Sequence, residues 1–317
     1  MLLILRVMGQ SPRTIVVTGG AGFIGSHLVD RLLADAEGDV IVFDNLTRGR
    51  LANLAQHRFN NHLQVVEGDI RDMAAVADVV RHARVVYHLA AQSTVMGAVR
   101  DATYTFHSNV IGTFNVLMAC RQASVDRVLF ASSREVYGEP ITLPVDEDSP
   151  LLSINSYGAS KVAGEAYCRA FRREFGLQVA ILRLANVYGP RDIGRVIPTW
   201  IERATAGLNM DVYGGKQIVD FVWIDQVVDA LIRAAAHDGP LPPTNVGSGT
   251  GTRIIDVARR IGRLACGHPR VNLQPARSME VTRFIASIER MRQLLGIEPP
   301  LDPLANLSSM LALPVRA

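Results

Sequence analysis

A run of β-branched residues, Thr14-Ile15-Val16-Val17-Thr18, leads straight into Gly19-Gly20-Ala21-Gly22-Phe23-Ile24-Gly25, and no other stretch limits the fold as tightly. Two glycine spacings are satisfied at once: Gly19, Gly22 and Gly25, and also Gly20, Gly22 and Gly25. At the end of a strand and the start of a helix, such glycines let a pyrophosphate approach the backbone while the helix N-terminus faces its charge. Ile24, Leu28 and Leu32 then fall four apart and put an apolar stripe on the helix that follows.

The rhythm continues. Ile41-Val42-Phe43, Gln64-Val65-Val66, Val85-Val86-Tyr87 and Val128-Leu129-Phe130 are short runs without in/out alternation, separated by helical patterns such as Phe106, Val110 and Phe114. Continuous apolar strands separated by helices predict a parallel sheet covered on both faces, a doubly wound α/β fold of the Rossmann type. After about residue 185 Gly and Pro become frequent and strict alternation stops, so a smaller α/β lobe is expected over residues 186–317, following a nucleotide-binding domain over residues 1–185. Some late segments should return to the large domain, and helices are expected at residues 252–265, 287–295 and 303–313.

Composition removes several function classes. With 33 Lys plus Arg against 30 Asp plus Glu, interspersed, no basic block tracks a nucleic acid. Cys120, Cys168 and Cys266 are far apart, which suggests neither a disulfide framework nor a metal site and fits a reducing cytoplasm. The apolar start, Met1 to Met8, is broken by Arg6 and reads as a tail rather than a membrane or targeting segment.

Asp44 ends the second strand nineteen residues past Gly25, where a carboxylate can accept hydrogen bonds from both adenosine ribose hydroxyls and repel a 2′-phosphate. NAD is therefore expected rather than NADP, with Arg48 keeping the second open. Asp69 closes the third strand and can bond an adenine amine or cap a helix. Tyr157 and Lys161, spaced i and i+4, reach one helix surface. An ammonium there is expected to lower the phenol's pKa so that it takes an alcohol proton as hydride leaves for nicotinamide.

These features stand among Phe43-Asp44-Asn45-Leu46, Gly68-Asp69-Ile70, His88-Leu89-Ala90-Ala91-Gln92, Asn109-Val110-Ile111-Gly112-Thr113, Ser132-Ser133-Arg134-Glu135-Val136-Tyr137-Gly138, Arg183 to Pro190 and Asn245 to Gly249. With them the chain resembles, nearly end to end, the sugar-nucleotide epimerase and dehydratase branch of the extended short-chain dehydrogenase/reductase family. The resemblance implies a tightly held NAD that oxidises a sugar at C4 and is restored in the same turnover. Its cofactor contacts would be Gly19, Gly22, Phe23, Ile24, Gly25, Asp44, Asn45, Asp69, Ile70, Leu89, Ala90, Ala91, Gln92, Asn109, Tyr157 and Lys161. Ser133 would share the substrate hydroxyl with Tyr157. Thr94, Arg134, Glu135, Asn186, Val196 and Arg283 would meet a nucleotide sugar, one that is UDP-linked.

The same resemblance makes Ser133-Arg134-Glu135 the triplet that decides the fate of the oxidised sugar. Hexose 4,6-dehydratases commonly carry Asp-Glu or Ser-Glu after the catalytic Ser or Thr, the Glu removing the C5 proton; plain 4-epimerases carry small or apolar residues. Glu135 leans toward elimination from a substrate such as UDP-GlcNAc, similar to the UDP-N-acetylglucosamine 5,6-dehydratase of tunicamycin biosynthesis. Arg134, however, stands where an acid would protonate the leaving hydroxyl. Glu135 can equally bond a sugar hydroxyl, so UDP-hexose 4-epimerisation and decarboxylation remain open. Val219 replaces an Arg that in relatives contacts the diphosphate, and Lys216, Arg191 and Arg195 are further cations. A redox-sensing module and a net oxidoreductase on a steroid or flavonoid are the rival classes; the intact Tyr157 and Lys161 argue against the first. Ala159, Ala163, Ala166 and Ala170, with Tyr167, Phe171 and Phe175, give the helix at residues 156–175 more apolar surface than one sheet face needs. A homodimer is expected, joined as in the family by this helix and the one at residues 100–120 in a four-helix bundle.

Overall fold

The computed structural model describes residues 14–35, 38–265, 269–277 and 281–312. The expectations for residues 1–8, for Cys266 and for residue 313 lie outside them. In chain order the large domain runs β1 (Thr14–Thr18), α1 (Phe23–Ala34), β2 (Asp39–Asp44), β3 (Leu63–Glu67), α2 (Met73–Val80), β4 (Ala83–His88), α3 (Val95–Arg100), α4 (Ala102–Phe106), α5 (Gly112–Gln122), β5 (Arg127–Ser133), α6 (Ser156–Phe175) and β6 (Val179–Leu184). There follow β7 (Asn186–Tyr188), α7 (Val196–Thr205), β8 (Met210–Tyr213), β9 (Ile218–Trp223), α8 (Ile224–Ala236), β10 (Thr244–Val246), β11 (Gly251–Arg253), α9 (Ile254–Leu264), β12 (Val271–Gln274), α10 (Glu289–Leu295) and α11 (Leu307–Ala312).

Seven strands form one parallel sheet in the order β10-β6-β5-β4-β1-β2-β3. Its two faces are covered by separate cores. Leu28 and Leu32 of α1 pack with Val227 and Leu231 of α8 on one side, and Val116 of α5 with Cys168 and Phe171 of α6 on the other. A fully buried side chain such as Leu28 contributes roughly 2 kcal/mol of burial. Strand β10 and helix α8 come from beyond residue 186 yet lie on this sheet. Strand β3 departs from the sequence reading: it is the edge strand, so Val65 is exposed where the apolar run suggested burial.

Strand β6 ends at Leu184, and after Ala185 the chain passes directly into β7 of a second layer, a three-stranded sheet ordered β11-β9-β7, with a parallel β12-β8 pair in the same lobe. Trp200, Val212, Phe221 and Ile261 form the core of this lobe. The last helix starts later than the sequence suggests, because the Asp302 carboxylate, held by Arg260, accepts from the Leu304 N–H and makes a turn first. No helix among the described residues is long and apolar enough to cross a membrane.

Candidate active site

The strand ends of the large sheet and the inner face of the small lobe enclose two cavities with shared walls, of about 160 Å³ and about 890 Å³. Around the smaller one, Gly19 has φ +73°, and a Cβ at Gly25 would sit 2.2 Å from the Gly19 carbonyl. The turn therefore exists only with glycine at both places. Asp44 is buried and accepts the Ala21 N–H at 3.0 Å and the Leu46 N–H at 2.9 Å, one on each oxygen. Burial raises its pKa and those two bonds lower it. A carboxylate oxygen can accept more than one hydrogen bond, so each retains capacity for a ribose hydroxyl, and Asp44 lines the cavity.

Gly19, Gly22, Phe23, Ile24, Gly25, Asp44, Asn45, Asp69, Ile70, Leu89, Ala90, Ala91 and Gln92 all line this smaller cavity. These residues fit a dinucleotide. Asp69, however, is chelated by Arg71 through both oxygens and also takes Asn45 Nδ2 at 2.8 Å, which holds its pKa down at about 2. It caps no helix; Asp72 does, accepting from Ala74 and Ala75 at the start of α2. Asn109 sits one layer back. It lies in a π-helical stretch between α4 and α5, buried behind the wall, and lines neither cavity. Its amide bonds the Gln92 N–H and C=O and Ser160 Oγ, so it acts on the site through those two residues.

Ser133, Tyr157 and Lys161 come together on the wall of the larger cavity. Ser133 ends β5 and hydrogen-bonds the Tyr157 phenol. Lys161, one turn along α6, is buried, donates to the Ala131 carbonyl at 2.8 Å and lies 4.9 Å over the Phe130 ring. Burial holds its pKa down at about 8. The expected depression of the phenol is not what the chain alone provides. Burial raises the Tyr157 pKa, and the Ser133 bond and the charges of Arg195 and Arg134 only partly oppose it. Removing phenolate from water outweighs these donors in the chain by itself.

Glu135 is buried two residues on, and both its oxygens are engaged. Oε1 meets Arg134 Nη2 at 2.8 Å and Oε2 accepts from Asn155 Nδ2 at 2.8 Å. Asn155 is also the N-cap of α6, its Oδ1 accepting from the Gly158 N–H. A Cβ at Gly158 would lie 2.4 Å from the Glu135 carbonyl, so the turn after Ser133 and the start of the Tyr157 helix touch backbone to backbone.

Thr94, Arg134, Asn186, Val196 and Val219 also line the larger cavity, and Asn186 Oδ1 is buried with no partner in the chain. Arg283 does not line it: the side chain is half-exposed and turned to Glu139, 3.7 Å away. Lys216 is exposed and lines neither cavity, whereas Arg191 and Arg195 line the smaller one. One cation that the sequence reading missed is Arg277, stacked 3.9 Å over Tyr213 on the wall beside Val219. Asp192 was missed as well, a buried carboxylate on the wall of both cavities with its pKa pushed up to about 6 by burial. The Arg277 sequence context carries no apolar periodicity, and only the pairing of β12 with β8 brings it to the site.

A glycine-turn dinucleotide site opening on a serine–tyrosine–lysine group defines an oxidoreductive enzyme that works on an alcohol. The chain belongs to the NAD dependent epimerase/dehydratase family, whose model matches residues 15–247. It is 36% identical over 291 residues to a UDP-glucose 4-epimerase of Mycolicibacterium smegmatis, covering 90% of this chain and 93% of that one. Among solved structures it is similar to a dTDP-glucose 4,6-dehydratase from Streptomyces venezuelae with NAD bound (TM-score 0.90, 31% identity, 94% and 96% of the two chains). It is likewise similar to a UDP-N-acetylglucosamine 4-epimerase from Methanobrevibacter ruminantium in complex with UDP-N-acetylmuramic acid (TM-score 0.89, 29% identity, 96% and 98%). The family and its NAD dependence on sugar nucleotides are thereby shown.

Proposed function

We propose that this chain is a UDP-hexose 4-epimerase, oxidising C4 and reducing it again from the opposite face. One observation carries the reading: the carboxylate of Glu135, two residues past Ser133, has both oxygens engaged by Arg134 and Asn155. Tyr157 is then the acid–base group for the C4 hydroxyl, Ser133 shares its hydrogen bond, and Lys161 keeps positive charge one turn below. Asp44 and the glycine turn would hold NAD, which would supply the hydride acceptor and donor for C4. Arg277, Val196 and Asn186 meet the nucleoside diphosphate, and the name of the Mycolicibacterium relative supports UDP. Purified enzyme given UDP-glucose should yield an isobaric product inverted at C4, read by NMR; a product lighter by one water would overturn the reading.

A second reading, elimination across C5 and C6, is favoured by the presence of Glu135 in that wall at all. No acid stands at residue 134, so Glu135 would have to take the C5 proton and itself return it to the departing C6 oxygen. We also assign a cytoplasmic homodimer. Phe106, Tyr167 and Phe175 on α4 and α6 are large apolar side chains left exposed, a patch suited to pairing helices across a two-fold axis.

A further inference from the structure

The wall beside Ser133 carries a cation that proton and hydride transfer at C4 do not require. Arg134 follows Ser133 directly, its side chain is 12% exposed, and it lines the cavity with Tyr157. A guanidinium has five N–H donors. Among the described contacts only Nη2 is hydrogen-bonded, to Glu135, while the Phe284 ring lies 5.7 Å from Cζ. None of its nitrogens is buried without a partner, so the remaining donors keep some accessible surface on a side chain that lines the cavity. Glu135, itself fixed by Asn155, aligns one edge of the guanidinium and leaves the rest of the fork free.

The charge of the cavity points the same way. Seven cationic side chains line it against three carboxylates. A nucleoside diphosphate brings about two negative charges and the cofactor about one net, and a wall richer in cations than in carboxylates favours further negative charge on the substrate. Tyr157 and Ser133 hold the C4 hydroxyl, so the sugar atoms beside it are C3 and C5. Whatever reaches residue 134 is C6 or a substituent on O3.

We infer that the sugar carries a carboxylate next to C4 and that Arg134 receives it in a bidentate pair, which makes the substrate a UDP-linked acidic sugar. This rests on the 4-epimerase reading above. A C6 uronate and a lactyl ether on O3 present the same chemistry to Arg134, and Lys161 and Arg195 add positive charge from α6 and α7's leading residue.

The test is kcat/KM for the NAD-loaded enzyme on UDP-glucuronate, UDP-N-acetylmuramate, UDP-glucose and UDP-GlcNAc. One of the two carboxylated sugars should exceed both neutral ones by at least about tenfold, the worth of one charged hydrogen bond or more. Arg134→Gln should bring that ratio close to one through KM, and Arg134→Lys should keep part of it. NAD content and melting temperature report whether each variant folds, and the wild-type preference stands without them. Neutral sugars turned over as well as acidic ones, or a ratio that Arg134→Gln leaves intact, overturns the inference while the 4-epimerase reading survives. Loss of carbon dioxide from UDP-glucuronate keeps Arg134 as the carboxylate's partner and overturns 4-epimerisation instead. No turnover of any of the four overturns both.

Discussion

Asn155 joins the two halves of the chemical centre: its Nδ2 donates to Glu135 Oε2 at 2.8 Å while its Oδ1 accepts the Gly158 N–H, also at 2.8 Å. Glu135 follows the serine and Gly158 follows the tyrosine, so one amide sets how Ser133 faces Tyr157. Asn155→Ala removes both bonds. It should cost about 1–2 kcal/mol of stability through the lost cap and the unpaired carboxylate oxygen. A drop in kcat larger than the rise in KM, alongside a lower melting temperature, is the expected pattern; unchanged kcat would show that the tether does not set the pair.

Glu135→Gln separates the two reactions considered. The amide still meets Asn155 or Arg134 on its oxygen, so 4-epimerisation should persist within about tenfold of wild type. In heavy water the wild-type product should carry no deuterium at C5. Deuterium at C5 that disappears in the variant would identify Glu135 as a base and favour elimination.

Tyr157→Phe keeps the ring and deletes the acid–base group. Turnover should fall about 10²–10⁴-fold with NAD still bound. Full activity in this variant would place the proton transfer elsewhere on the wall.

Two arginines near the end of the chain, only six residues apart, should behave differently. Arg277 lines the cavity and Arg283 does not. Arg277→Ala should raise KM for a UDP-sugar about 10- to 100-fold, and Arg283→Ala less than about threefold. The reverse result would contradict the placement of the diphosphate.

The sequence made the glycine turn, Asp44 and the Ser133, Tyr157 and Lys161 group legible because each is local: a strand end, a helix start, or four residues of one helix. The sheet was legible for the same reason, except where position in the sheet matters, as for exposed Val65 on the edge strand. Arg277 and Asp192 were not, since a parallel pairing of β12 with β8 and a loop beyond β7 bring them to the cavity from far along the chain. The sequence shows the residue type of Asn109 but not the π-helical turn that aims it at Gln92 and Ser160. The direction of the Tyr157 shift depends on burial, which spacing does not report.

Asp192 gives a pH test. Its folded pKa, about 6, exceeds the ordinary 3.8, so the folded chain binds the proton more tightly than the unfolded one between those values. The stability this contributes is complete below about pH 4 and is lost as pH rises through 6. Asp192→Asn, which mimics the neutral form, should therefore stabilise the protein by about 1–2 kcal/mol near pH 7.5 and have little effect near pH 4. Chemical denaturation at the two pH values checks this, and a destabilised variant at pH 7.5 would show that the ion pair with Arg195 outweighs burial.

The central claim is that a sugar alcohol is oxidised at C4 and reduced again within one turnover. The most direct measurement follows a UDP-hexose bearing deuterium at C4 through NMR while absorbance tracks NADH. A C4-inverted product that retains its deuterium, with no accumulation of NADH, is expected. Steady NADH release, or a product lacking one water, would contradict it.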